Sequence, residues 1–182
     1  MSSFVPIPSS SIGYKFFMGI TGLLLIGFVL GHMTGNLLIF MGPEAINEYG
    51  EFLQTMGHGV LIWVARIGLV AIFSIHMTLA FVLRKKNNSA RPVPYGADGT
   101  IQASWASRHM MLTGIVIFLF LVYHIAHFTV GAIDPDNHKE VIARDIHNKF
   151  DIYTMVVRGF QQPLVSGLYI LAQLALGLHL TH

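Results

Sequence analysis

Four stretches of the chain are apolar almost without interruption: Phe16–Met41, Gly59–Leu83, His109–Gly131 and Pro163–His182. Each reaches the about 20 residues that a helix needs to cross a bilayer. Apolarity on all sides, without a polar stripe, predicts helices set in lipid rather than helices lying on a soluble core. Arg66 is the one formally charged side chain within them. Polar connectors separate the runs and carry Gly, Pro, Asn or Asp near their ends, as chain breakers do. Gly42-Pro43 closes the first helix, and Pro163 opens the fourth at a position that tolerates a missing N–H. The expected fold is an all-α transmembrane helix bundle, one domain over residues 1–182.

Composition supports this picture. Of 182 residues, 53% are hydrophobic and 11% charged, against about a quarter charged in soluble domains. The net charge of +2 is not gathered into the basic face that a nucleic-acid partner requires. The first residues, "MSSFVPIPSSSIGY", lack a positive region ahead of an apolar core, so the first apolar run is expected to be retained as a helix. The last, "LALGLHLTH", carry no polar cap or basic flank, which predicts a chain cut short.

Charge orients the helices. Lys15 precedes the first run, and Arg84, Lys85, Lys86, Arg91 and Arg108 crowd the second connector. The first connector is acidic, with Glu44, Glu48 and Glu51. The positive-inside rule then places the N-terminus and the second connector in the cytoplasm.

Ten histidines in so apolar a chain are the feature to explain. With no cysteine, the chain itself offers no iron–sulfur cluster, thiolate zinc site or covalent haem attachment. At about 1.5 Å per residue, His32 lies about 25 Å beyond Lys15, and His124 about as far beyond Arg108 on a helix running the same way. His76 lies about 12 Å before Arg84, and His179 falls in the inner half of a helix descending from Pro163. Four helices thus supply an outer pair, His32 with His124, and an inner pair, His76 with His179. Two stacked bis-histidine haems need such ligands, one imidazole from either side of each porphyrin. Thr, Ser and backbone carbonyls are the available acceptors for the second ring N–H of each ligand.

Other readings stand beside this one. A single intramembrane histidine is as readily a hydrogen-bonding residue between helices, whereas four matched in depth point to function. His127 and His182 follow His124 and His179 by three residues on the same face; they compete as ligands by one turn, or as partners of a propionate or a quinone. Arg66 either snorkels to the headgroups or neutralises a propionate of the outer haem. Gly27, Gly31 and Gly35 form a stripe that suits helix packing or a flat porphyrin. His58 and His109 fall at helix ends, and His138 and His147 in the third connector, where solvent is expected.

The chain resembles the cytochrome b membrane-anchor subunits of succinate:quinone oxidoreductases, of the single-chain, two-haem type. The resemblance spans "SSIGYKFFMGITGLLL" and "GHMTGNLLIFMGPEAINEYGEFL", then "IHMTLAFVLRKKNNSARPVPY", "SRHMMLTGIVIFLFLVYHIAHFTVG" and "QQPLVSGLYILAQLALGLHLTH". It implies that His32, His76, His124 and His179 are the haem ligands, which decides the one-turn alternatives. It further implies two haem b groups and a quinone acceptor, commonly menaquinone. Flavoprotein and iron–sulfur subunits would dock on the cytoplasmic side, and the setting would be a bacterial inner membrane. In such an enzyme this chain carries electrons and holds no dicarboxylate or flavin site. Members of the family continue into a fifth membrane helix, expected here after His182. Two rivals remain: the di-haem anchor of a formate dehydrogenase or hydrogenase, and a small histidine-based transporter. Embedded carboxylates or broken, repeat-related helices would favour the transporter, and neither is evident.

Overall fold

A computed structural model describes residues 10–90, 104–138 and 144–181. Among them every regular element is helical. The elements are α1 (Ser11–Asn36), α2 (Pro43–Thr55), α3 (Val60–Ser89), α4 (Trp105–Arg108), α5 (Met110–His124), α6 (Ile152–Phe160) and α7 (Pro163–Leu180). Four segments are long and apolar enough to cross a membrane: Ser11–Met41, Val60–Ser89, Met110–Thr129 and Pro163–Leu180. This is the pattern of a multi-pass membrane protein. Large apolar side chains lie open along these segments, Leu23 at 70%, Ile67 at 68% and Leu164 at 86% exposure, which lipid accommodates and water does not.

Helix ends follow local chemistry. The Ser10 side chain accepts the Gly13 N–H at 3.0 Å, so α1 starts at Ser11, five residues ahead of its apolar run. A 3₁₀ turn, Leu37–Met41, extends α1, and Gly42 at φ +107° stops it. Gly57, His58 and Gly59 all have positive φ (62°, 56° and 80°) and turn the chain from α2 into α3. α3 runs on past Leu83 to Ser89, because basic residues suit a helix C-terminus and Lys86 finds a ring to cover.

The chain divides into two compact units. The first is the α1–α3 pair. Tyr14 meets Lys86, whose ammonium lies 4.3 Å from the ring centre, and Thr21 meets His76, so the helices are antiparallel.

The second unit comprises Leu38–Phe52 with α4 to α7. Here α5 and α7 are antiparallel, with Thr113 against His179 and His124 against Tyr169. α5 widens into a π-helical turn, Ile125–Thr129, closed by Val130 N–H to Ile125 C=O at 2.9 Å. Gly159 of α6 makes room for Phe128, since an added Cβ would stand 3.0 Å from its ring. Two connectors expected as loops are thus partly helical, and they pack together. The buried Asn47 of α2 accepts the Tyr153 N–H at 2.9 Å and donates to Asp145 at 3.2 Å and Asp151 at 3.4 Å. Gly50 lets Ile152 in, whose Cδ1 occupies the place a Cβ would take.

Candidate functional site

Thr21 is buried on α1, and its hydroxyl donates to the carbonyls of Phe17 and Met18 at 2.8 and 3.0 Å. A hydroxyl has one proton. The same Thr21 Oγ1 lies 3.0 Å from His76 Nδ1. When the hydroxyl proton lies on a carbonyl, Nδ1–H is the donor of this contact, and the lone pair that can bind a metal is on Nε2. Gly22 lets the ring lie against α1, because a Cβ there would stand 3.4 Å from His76 Cε1.

The second unit repeats this arrangement. Thr113 is buried on α5, and its hydroxyl donates to Met110 C=O at 3.0 Å and His109 C=O at 3.3 Å. Its Oγ1 lies 3.0 Å from His179 Nδ1. Gly114 stands to His179 as Gly22 does to His76, again with 3.4 Å from a built Cβ to Cε1.

Eleven residues beyond Thr21 is His32, and eleven beyond Thr113 is His124. At about 1.5 Å per residue, each unit holds two histidines about 16 Å apart along its first helix. Each sequence-derived axial pair takes one histidine from each unit; within a unit the histidines stand at different depths and are not brought together.

The outer histidines have different surroundings. His124 Nδ1 lies 3.1 Å from the Tyr169 hydroxyl, and His127 Nδ1 lies 3.5 Å from the same oxygen. His127, 3% exposed, sits in the π-helical turn and stacks on Phe128 with centroids 4.1 Å apart. Edge contacts with Phe120 (4.9 Å) and Phe160 (4.8 Å) hold the Tyr169 ring. His32 lies on an exposed face of α1 and stacks with Phe28 at 5.4 Å. The antiparallel register that sets Thr21 opposite His76 places Arg66 at the depth of His32. The Arg66 guanidinium lies 4.8 Å from the centre of the Trp63 ring.

The remaining histidines divide. His58 and His109 are at helix ends, with His109 stacked on Trp105 at 4.2 Å. His147 is exposed, but His138, expected in solvent, is buried at 6% and donates from Nε2 to Thr129 C=O at 3.3 Å. The start of the third connector, through His138, folds back on the end of α5. His182 lies outside the described residues. An added Cβ at Gly27 or Gly31 would meet no described atom within 4 Å, so the close approach of α3 to α1 is made at Gly22.

Thr21, Thr113 and Tyr169 were not singled out from the sequence. The signal was a Thr-Gly dipeptide eleven and ten residues ahead of a histidine, present twice. Among the described residues no three His, Asp or Glu side chains gather as a metal site, so histidine pairs are the unit to consider. No family model, no curated protein and no solved structure matches the chain.

Proposed function

We propose that this chain is the di-haem cytochrome b membrane anchor of a succinate:quinone oxidoreductase. The observation that carries the reading is the twofold occurrence of one arrangement, an imidazole held by Nδ1 on a threonine acceptor with a second histidine eleven residues along. Ligating histidines ordinarily donate their other ring N–H to such a partner, which suits His76 and His179 as haem ligands; His32 and His124 would hold a second haem at the outer level. Haem held by these histidines would supply one-electron transfer.

The chain's own residues then have distinct tasks. Thr21 and Thr113 hold the inner histidines, and Tyr169 holds His124 while contacting His127. Arg66, at the depth of His32, supplies positive charge for a propionate. The basic end of α3 faces the cytoplasm and offers a docking surface to an iron–sulfur subunit, which a flavoprotein subunit supplies with electrons from succinate. The acceptor is a membrane quinone of the menaquinone class, and the setting is a bacterial inner membrane with a cytoplasmic N-terminus.

Succinate added to the complex purified from its native membrane tests this reading. Reduction of b-type absorbance by succinate, reversed by a quinone analogue, is expected. Reduction by formate or hydrogen but not succinate would assign the anchor to another respiratory enzyme.

A further inference from the structure

We propose, on the basis of the haem reading above, that Thr21 and Thr113 are paired positioning residues for the inner haem, each fixing the tautomer of one axial histidine. The two units supply the same parts independently. In each, a buried threonine hydroxyl lies within hydrogen-bond distance of two carbonyls of its own helix. In each, its oxygen stands 3.0 Å from an Nδ1 on the partner helix. In each, the following glycine lets the ring approach, with 3.4 Å from a built Cβ to Cε1.

The proton count gives the arrangement its consequence. Had the threonine hydroxyl been able to donate to Nδ1, the ring proton would sit on Nε2 and ligation would be blocked. With its proton on a carbonyl of its own helix, the hydroxyl accepts from Nδ1–H, and the Nε2 lone pair is left for iron. Donation from Nδ1–H also makes the imidazole more basic. A more basic axial ligand favours ferric iron and lowers the reduction potential.

The outer level is not duplicated. Ten residues ahead of the inner histidine stands Arg66 in one unit and Tyr169 in the other. The two inner ligands should therefore respond alike to loss of their acceptors, and the outer haem should not respond at all.

The test uses Thr21→Val and Thr113→Val in the intact complex, with Thr21→Ser and Thr113→Ser as conservative partners. Valine keeps the branched shape and removes the acceptor; serine keeps the hydroxyl. The readouts are haem content, potentiometric titration of each haem, and the low-spin ferric resonance at low temperature. Each valine variant should shift the oxidised-to-reduced ratio of the same haem about tenfold toward reduced, which is about 59 mV upward. The double variant should move it further, and the serine variants should titrate as the unmodified protein does. Should valine abolish haem binding, retention of haem at its original potential in the serine variants would support the proposal, and loss there too would overturn it. A full haem complement with unmoved potentials in both valine variants would overturn it, as would valine variants that move different haems. A protein carrying no haem at all would instead overturn the haem reading on which the proposal stands.

Discussion

Tyr169→Phe removes one oxygen from the centre of the second unit and little else. The ring is held by edge contacts with Phe120 and Phe160, neither of which involves the hydroxyl. What disappears is the contact with His124 Nδ1 at 3.1 Å and the longer one with His127 Nδ1 at 3.5 Å. Side-chain hydrogen bonds within membranes average about 0.6 kcal/mol and reach about 1.7 kcal/mol. The 3.1 Å contact falls within ordinary hydrogen-bond distance, and the 3.5 Å contact is at the limit. His127 is 3% exposed and loses a partner that water cannot replace, which adds to the cost. The expected destabilisation is about 1–2 kcal/mol. Tyr169→Ala, which also removes the ring contacts, should cost about 3–5 kcal/mol. Reversible unfolding in mixed micelles, followed by near-ultraviolet circular dichroism, measures both. A phenylalanine variant as stable as the unmodified protein would refute the hydrogen bonds. One as unstable as the alanine variant would refute the claim that packing alone holds the ring.

Other outcomes follow from the second unit. Asn47→Ala leaves the Tyr153 N–H and two carboxylates without their shared partner; it should cost about 2–4 kcal/mol and open residues 144–160 to limited proteolysis while haem content stays constant. Gly131→Ala meets two obstacles, a φ of +76° and a Cβ overlapping the His138 ring; it should destabilise by about 1–3 kcal/mol, seen as a lower thermal midpoint in detergent. The clasp between α2 and the third connector should depend on pH. Hydrogen bonding to Lys149 Nζ, 2.7 Å away, and its charge lower the Glu48 pKa, and backbone N–H groups, that of Lys149 first, lower that of Asp145. Such carboxylates contribute above their unfolded pKa, about 4, and the contribution is lost as pH falls through the depressed folded values. The Lys149 pKa is raised by the Glu48 hydrogen bond, so its contribution is lost only as pH rises through a value above about 10.4. Protection of the His147 and Lys149 amides, both held by Asp145, from hydrogen exchange should fall as pH drops below about 4; Asp145→Asn should lower that protection and weaken its acid dependence.

The four membrane spans were legible because apolar runs of bilayer length need no tertiary information. Their ends were less so. Ser10 starts α1 early through a cap three residues long, and Lys86 prolongs α3 by reaching Tyr14. α2 and α6 escaped notice because short helices of mixed polarity carry no run to see. Asn47 joins them through partners about a hundred residues away in sequence. Titratable residues drew attention to the histidines, whereas the groups that hold them are uncharged and common in any membrane helix. His138 shows the limit of reading polarity as exposure: its ring is buried with Nε2 donating to the Thr129 carbonyl.

The central claim is that the four histidines ligate two haems. A pyridine haemochrome assay with the reduced-minus-oxidised visible spectrum, made on the purified protein, tests it most directly. The account predicts b-type bands and two haems per chain, falling to one when His76 or His179 is replaced by alanine and to one when His32 or His124 is. A folded protein with no haem, or with haem indifferent to those four substitutions, would contradict it.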